Sequence, residues 1–353
     1  MSERVLMKGN EALAEAAIAA GCRLFFGYPI TPQNEVVAHM SKRMPQVNGL
    51  CLQAESEVAA INMVLGAAAT GNRVMTSSSS PGISLKGEGI SYIAGSDVPC
   101  VIINIQRGGP GLGGIQPSQA DYHQATKATG HGDFRVLVYA PSTIQEMIDY
   151  TIKAFDKADE YRMPVMILAD GMLGQMMEPV ALLSDKSTES KKDWALTGHG
   201  HKRPKNLVNS LFLQAAVLEE KVKERYKKYD KIKETEAAAE CTNTDDAELT
   251  IVAYGASARV ATSAINMARA EGLKVGLIRP ITLWPFPSKI IQEQAKKTKK
   301  FMVVEMSMGQ MVDDVRLVLG GSTPVEFYGR TGGIIPTPAE VFVKIKEVMG
   351  GAK

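Results

Sequence analysis

Residues 98–106 limit the architecture of this chain more than any other stretch. Val98-Pro99-Cys100-Val101-Ile102-Ile103-Asn104-Ile105-Gln106 is almost continuously apolar. A strand reads this way when both of its faces are buried, and such strands belong to parallel sheets covered by helices. The flanking sequence supplies the helices. Spacing predicts them over 10–20, with Asn10 as N-cap and Gly21 as the stop, over 56–69 behind Ser56, over 83–94 and over 143–161. Strands are predicted between them at 22–26, 50–53, 73–77, 135–139 and 164–169. This alternation implies the α/β class, a parallel sheet with helices on both faces.

The pattern breaks after Pro179. Residues 184–206 are rich in Lys, Ser, His and Pro and show no periodicity. Residues 207–239 carry Glu219-Glu220-Lys221-Val222-Lys223-Glu224-Arg225, opposite charges at helical spacing. That pattern predicts a long, solvent-facing helix. The interleaved glutamates argue against nucleic acid as the partner of its lysines. A second alternation starts near Glu248, with strands expected at 249–254, 274–278, 300–305 and 324–328 and helices at 258–270, 288–298, 312–319 and 338–349. The expected division is a first α/β domain over 1–178, a polar connector over 179–247 and a smaller α/β domain over 248–353.

Composition excludes several classes. The net charge of +2 leaves no basic stripe for nucleic acid. No run of about 18 apolar residues is present to span a membrane. Met1-Ser2-Glu3-Arg4-Val5-Leu6 lacks the apolar core of a signal peptide, so a cytoplasmic protein is expected. Cys22, Cys51, Cys100 and Cys241 are isolated and have no ligand-spaced partners, so neither zinc nor an iron–sulfur cluster is expected on this chain. Cys22, Cys51 and Cys100 lie beside apolar runs and are expected as small buried thiols. His199 and His201 are expected in a polar loop rather than a metal site.

Candidate chemistry collects in loops that follow strands. Gly27-Tyr28-Pro29-Ile30-Thr31-Pro32 holds two prolines, which lack backbone donors and restrict their neighbours, so it should be a stiff loop at a strand end. Open α/β sheets bind ligands at that edge. Thr76-Ser77-Ser78-Ser79-Ser80-Pro81-Gly82 offers hydroxyls for a polar pocket, or makes a simple turn. Arg107 precedes the glycine-rich 108–114; it either clamps a carboxylate bidentately or neutralises a neighbouring acid. Glu57 opens a helix and leads into Val58-Ala59-Ala60-Ile61; it is either an acid favoured at a helix N-terminus or a buried carboxylate offered to a cofactor nitrogen, with Glu55 as competitor. The glycine run fits a dinucleotide fingerprint poorly, and P-loop and Gly-x-Ser-x-Gly motifs are absent.

Taken together, these residues resemble the α subunit of the 2-oxoacid:ferredoxin oxidoreductases. Tyr28-Pro29-Ile30-Thr31-Pro32 is similar to that family's substrate loop, Ser56-Glu57-Val58-Ala59-Ala60 to the glutamate helix of its pyrimidine-binding domain, and Arg107-Gly108-Gly109-Pro110 to its arginine loop. Arg279-Pro280-Ile281-Thr282-Leu283-Trp284-Pro285-Phe286-Pro287 and Glu305-Met306-Ser307-Met308-Gly309-Gln310 resemble signatures of the transketolase C-terminal-like domain. Gly111-Leu112-Gly113-Gly114-Ile115-Gln116-Pro117-Ser118-Gln119 resembles the branched-chain (2-oxoisovalerate) members, and the Thr-Gly-Leu-Pro-Thr pattern usual in 2-oxoglutarate members is missing.

The resemblance implies a thiamine-diphosphate-fold pyrimidine-binding domain over 1–178 and a transketolase C-terminal-like domain over 248–353. It implies oxidative decarboxylation of a 2-oxoacid with CoA, giving acyl-CoA, CO2 and reduced ferredoxin. Glu57 would hydrogen-bond the pyrimidine of thiamine diphosphate, beside Pro29 and Ile30. Thr31 and Arg107 would hold the 2-oxoacid, with Tyr28 either touching it or packing. A diphosphate and magnesium (Mg2+) motif of the Gly-Asp-Gly…Asn type is missing. Mg2+, the diphosphate half and 4Fe–4S clusters would then come from a β subunit and from γ and ferredoxin-like δ subunits, and the chain alone would be inactive. Alternatives are a 2-oxoglutarate enzyme of the same family and a non-catalytic scaffold subunit.

Overall fold

The apolar run forms a strand at Cys100–Gln106 with every residue buried, and it lies in the middle of a seven-stranded sheet. The structure is a computed structural model that describes residues 4–127, 129–182 and 191–350. In chain order the elements are β1 (Arg4–Lys8), α1 (Gly9–Ala19), β2 (Leu24–Gly27), α2 (Asn34–Arg43), β3 (Leu50–Gln53), α3 (Glu57–Ala69), β4 (Val74–Ser78), α4 (Ser80–Gly95), β5 (Cys100–Gln106), α5 (Tyr122–Thr126), β6 (Leu137–Tyr139), α6 (Ile144–Tyr161), β7 (Pro164–Asp170), α7 (Gly171–Gln175) and β8 (Met177–Ala181). Then come α8 (Ala215–Thr235), β9 (Ala239–Thr242), β10 (Leu249–Val252), α9 (Gly255–Ala270), β11 (Val275–Pro280), β12 (Thr282–Trp284), α10 (Ser288–Ala295), β13 (Lys300–Glu305), α11 (Met311–Leu319), β14 (Val325–Gly329) and α12 (Pro338–Val348).

The α/β architecture expected from the alternation is what forms. The large sheet has the order β12-β6-β7-β5-β4-β2-β3 and is parallel except for β12. From β2 the chain moves outward to β3 and then returns to β4 on the other side of β2. The order therefore reverses between β2 and β4, the switch point where such sheets open a crevice at their carboxyl edge. A five-stranded sheet has the order β14-β13-β10-β11-β9, and β1 pairs with β8.

Several expectations are corrected. Asn10 does not cap α1: the helix begins at Gly9 behind Lys8, and Asn10 is buried in its first turn. Helix α2 escaped prediction because its apolar stripe is only Val36, Val37 and Met40. Helix α8 starts at Ala215, eight residues later than expected, because Asn209 closes local bonds with Leu211 (N–H to Oδ1 2.9 Å, Nδ2 to O 2.7 Å) that compete with a helix. Nor does α8 face solvent all round. Arg225, Tyr229 and Ile232, spaced four and three apart, are buried; Arg225 donates to Gly95 O at 2.9 Å, and the Tyr229 ring meets Trp284 edge-on at 5.6 Å. Residues 184–190 of the polar stretch lie outside the described residues. Strand β9, from the end of the connector, joins the second sheet antiparallel to β11, whereas β12, from the second alternation, joins the first sheet antiparallel to β6.

Cys22 and Cys100 are buried free thiols whose pKa burial pushes up to about 12, while Cys51 is only half-buried, at the edge strand β3. His199 and His201 meet edge-on at 5.1 Å in a loop. Among the described residues, no helix is long and apolar enough to cross a membrane.

Asp170 ends β7 and caps α7. Its Oδ1 accepts from Met172 N at 2.9 Å and Leu173 N at 3.2 Å, and its Oδ2 accepts from Ala256 N at 3.4 Å. Burial raises its pKa to about 6 against those three donors. A folded value above the unfolded one, about 3.9, means that the bound proton stabilises the fold below about pH 4 and that this contribution is lost as pH rises through 6. A shift of that size corresponds to about 2–3 kcal/mol. Asp170→Asn is expected to flatten the fall in stability between pH 4 and 7, measured by urea unfolding at each pH. An unchanged slope would contradict it.

Candidate active site

The residues singled out by sequence converge on the crevice at the switch point. Thr31 follows β2, Glu57 follows β3 and Arg107 follows β5, while the serine run expected as a loop or turn is instead the end of β4 and the start of α4, joined at Ser79. All four strands are parallel, so all four connections leave the same edge of the sheet.

The loop after β2 is fixed by amides contributed from elsewhere. Pro32 O accepts from Asn10 Nδ2 at 2.8 Å and Gln175 Nε2 at 3.1 Å. Both amides also reach Glu35 Oε2 at 2.8 Å. Gln33, fully buried, donates to Tyr28 O at 3.3 Å and accepts from Ser77 Oγ at 2.6 Å. These bonds replace the donors that the prolines lack. Tyr28 and Pro29 remain exposed, and Ile30 and Thr31 are half-buried.

Arg107 is buried and donates Nη1 to Thr31 O at 2.9 Å and Nη2 to Leu112 O at 3.3 Å, so the two predicted substrate residues are in contact. Its Nε–H is buried without a partner. The Arg107 backbone is held too: its N–H donates to Ser80 Oγ at 3.0 Å, and that hydroxyl donates to Asp121 Oδ2 at 2.7 Å, which also accepts from Asn104 Nδ2 at 2.9 Å. Burial pushes the Asp121 carboxyl up, with Arg107 pulling the other way. The acid near Arg107 is thus occupied by Ser80 and Asn104, and the guanidinium contacts only carbonyls.

Glu57 is buried at the first turn of α3, where Ser56 Oγ caps Ala59 N at 3.1 Å; Glu55 is exposed. Among the described residues the Glu57 carboxylate has no hydrogen bond or ion pair in the chain. It faces Gly82, where an added Cβ would lie 2.6 Å from Glu57 Oε1 and 2.1 Å from Ser78 Oγ. The hydroxyls of Thr76, Ser78 and Ser79 are buried and unpartnered. The Glu57 carboxylate and the Ser78 hydroxyl are thus left open beside a position that tolerates no side chain. A cavity of about 510 Å³ opens beside Thr31, walled by Ile115, Met172 and Ile335.

Sequence reasoning missed the roles of four amides: Asn10, Gln33 and Gln119, which are fully buried, and Gln175, which is exposed. Only Asn10 and Gln33 carried a signal, being polar residues beside apolar runs. Gln119 joins the sheets: its Nε2 donates to Tyr254 O at 2.8 Å, and its Oε1 accepts from Ser257 Oγ at 2.6 Å and Met306 N at 3.0 Å. The Glu305 signature is structural here. Its buried carboxylate accepts from the backbone of Gln310, Met311 and Val312 and so seats α11.

Residues 15–241 match the family model described as pyruvate flavodoxin/ferredoxin oxidoreductase, thiamine diP-binding, and residues 247–341 match pyruvate:ferredoxin oxidoreductase core domain II. The chain belongs to this oxidoreductase family. The ketoisovalerate oxidoreductase subunits VorB of Methanothermobacter thermautotrophicus and Methanothermobacter marburgensis are 50% and 49% identical to it over 347 residues, covering 98% of this chain and 98% of each relative. The 2-oxoglutarate synthase subunit KorA of Methanothermobacter marburgensis is 36% identical, covering 98% of this chain and 99% of the relative. Among solved structures, the 2-oxoglutarate:ferredoxin oxidoreductase from Magnetococcus marinus with 2-oxoglutarate, coenzyme A and succinyl-CoA bound superposes with a TM-score of 0.88 at 26% identity, covering 98% of this chain and 65% of that one. A split-gene transketolase, at a TM-score of 0.61 and 14% identity, shares the fold. The family's thiamine-diphosphate fold thus accounts for the α/β layout.

Gln119→Ala would strand Ser257 Oγ and Met306 N in the interior at about 1–3 kcal/mol per unsatisfied group, while Tyr254 O keeps Ala258 N at 3.2 Å. A loss of about 2–4 kcal/mol in urea unfolding is expected. A loss under half a kcal/mol would show that the seam does not depend on this amide.

Proposed function

We propose that this chain is the α subunit of a 2-oxoacid:ferredoxin oxidoreductase acting on a branched-chain 2-oxoacid such as 3-methyl-2-oxobutanoate, with CoA and ferredoxin as co-substrates. The observation that carries the reading is the Arg107–Thr31 contact beside an open Glu57 carboxylate at the switch point. Thiamine diphosphate, when bound, supplies the nucleophilic carbon and the electron sink for decarboxylation. The protein's part is orientation and proton handling.

Glu57 Oε would meet the pyrimidine nitrogen and pass a proton to and from it. Pro29 and Ile30 would give the ring its wall, and the absent side chain at Gly82 leaves room for the Glu57 carboxylate and the Ser78 hydroxyl, whose oxygens would lie 2.6 and 2.1 Å from a Cβ there. Arg107 would use its unpartnered Nε–H, and donors not spent on Thr31 and Leu112, on the substrate carboxylate. A guanidinium already fixed by two carbonyls loses little freedom on binding. Thr31 Oγ, which accepts from Asn34 Nδ2 at 3.2 Å, stays able to donate to the same substrate. Tyr28, exposed at the loop's start, is placed to contact either substrate or a partner.

The cavity wall favours an apolar tail. It carries Ile115, Met172 and Ile335, no lysine or arginine lines it, and the charge of Glu35 is paired with Lys8 at 3.3 Å. A second substrate carboxylate, as in 2-oxoglutarate, would find no cation there. Magnesium, the diphosphate-binding half and the 4Fe–4S clusters are assigned to β, γ and δ partner subunits, because the sequence carries no Gly-Asp-Gly…Asn motif and no ligand-spaced cysteines.

Purification of the assembled complex and assay of CoA-dependent ferredoxin reduction test the reading. Turnover is expected with 3-methyl-2-oxobutanoate at a kcat/KM at least about tenfold above that with 2-oxoglutarate, since one methyl-scale mismatch already gives that ratio. A higher value with 2-oxoglutarate would overturn the substrate assignment. Glu57→Gln should lower kcat by about 10²–10⁴, the usual reach of a proton-transferring group, with the complex intact. Arg107→Met should act mainly on KM for the oxoacid. A scaffold subunit would leave both variants unaffected.

A further inference from the structure

Among the described residues, Lys86 is the one buried cation that the site leaves idle. It has no exposed surface, and its amine has no hydrogen-bond partner. Burying an unpaired ammonium is expensive, so its presence calls for a task. Its position on α4 suggests one. Gly82, Lys86 and Gly89 are spaced four and three apart and share one stripe of the helix. Both glycines touch α3: a Cβ at Gly82 would lie 2.6 Å from Glu57 Oε1, and a Cβ at Gly89 would lie 2.4 Å from Ile61 Cγ2. Lys86 sits between them, on the side that packs against α3, one turn beyond the Glu57 carboxylate.

No other charge competes for it. Strand β5, packed under α4, has no charged side chain, and β7 has only Asp170, which is taken up by Met172, Leu173 and Ala256. Asp121 is engaged by Ser80 and Asn104 at the start of the helix. Thr129 approaches Gly87 through a carbonyl. Helix α3 presents Glu57, whose charge favours the protonated amine, while burial pulls the amine down to about 8.

We propose that Lys86 is a positioning residue for Glu57: its ammonium orients the carboxylate toward the cofactor pyrimidine and offsets the negative charge left each time the proton is passed on. This rests on the role given to Glu57 above. Lys86 touches neither substrate nor cofactor. It acts on the open carboxylate through charge across the buried space between α4 and α3, without a direct hydrogen bond.

The test uses the assembled complex loaded with thiamine diphosphate, and it reads deuterium exchange at C2 of the bound cofactor, which depends on proton relay through Glu57 and not on oxoacid turnover. Lys86→Met is expected to slow exchange about tenfold or more while thermal stability stays level or rises, since a buried unpaired amine has been replaced by apolar volume. Lys86→Arg should restore most of the rate. A purely structural lysine would give the opposite pairing, lower stability with unchanged exchange, and exchange at the parent rate in Lys86→Met overturns the proposal. Should methionine not be tolerated, Lys86→Gln makes the same comparison. Glu57→Gln runs alongside: if it too exchanges at the parent rate, the assignment of Glu57 is what fails.

Discussion

The side-chain amide of Gln119 closes the seam between the two sheets, and the site's geometry hangs from it. Parallel strands leave their loops at one edge, and those loops must satisfy their own backbone groups or borrow partners. The connection after β5 borrows from the second sheet. Gln119 N donates to Met306 O at 2.9 Å, and its side chain serves Tyr254, Ser257 and Met306. Further along, Tyr122 Oη donates to Asp314 Oδ2 at 2.5 Å. With its far end pinned, the glycine-rich segment returns to its start, where Gly108 N donates to Gln116 O at 2.9 Å. Arg107 therefore enters the crevice from a loop fixed at both ends.

The crevice itself is a place where polar groups outnumber their partners. Three hydroxyls, one guanidinium N–H and the Glu57 carboxylate are left open in a region where most buried polar atoms are satisfied. The opposite holds one layer out, where Asn10, Gln33 and Gln175 hold the proline loop by its carbonyls. Rigid support around unsatisfied groups is the arrangement expected where binding energy is to be spent on a ligand rather than on the fold.

The local patterns in the sequence were largely legible. The buried strand, the Ser56 cap and the proline loop depend on neighbours within a few residues, and each formed as expected. Long-range features were not. Asn10 looked like a helix cap because that is the commonest local use of asparagine before an apolar stripe, yet its partners, Pro32 and Glu35, lie 22 and 25 residues away. The charges on α8 hid a stripe of Arg225, Tyr229 and Ile232, because a buried arginine reads as polar until Asp97 and Gly95 are seen beside it. The roles proposed for Glu57 and Thr31 come from the resemblance. Lys86 was not legible, because one lysine amid apolar residues looks the same whether it snorkels outward or turns in.

The pairing of β12 with the first sheet has a consequence for how this chain comes off the ribosome. Strand β12, at residues 282–284, pairs with β6, whose residues were made about 140 positions earlier, and Trp284 then packs on Tyr229. Until that strand emerges, the first sheet has an open edge at Leu137–Tyr139, a row of unpaired backbone groups able to recruit any passing strand. The second unit thus acts as a chaperone for the first, hiding an adhesive border of its neighbour. A gene split near residue 247 would yield two polypeptides that need to meet before either is safe from aggregation.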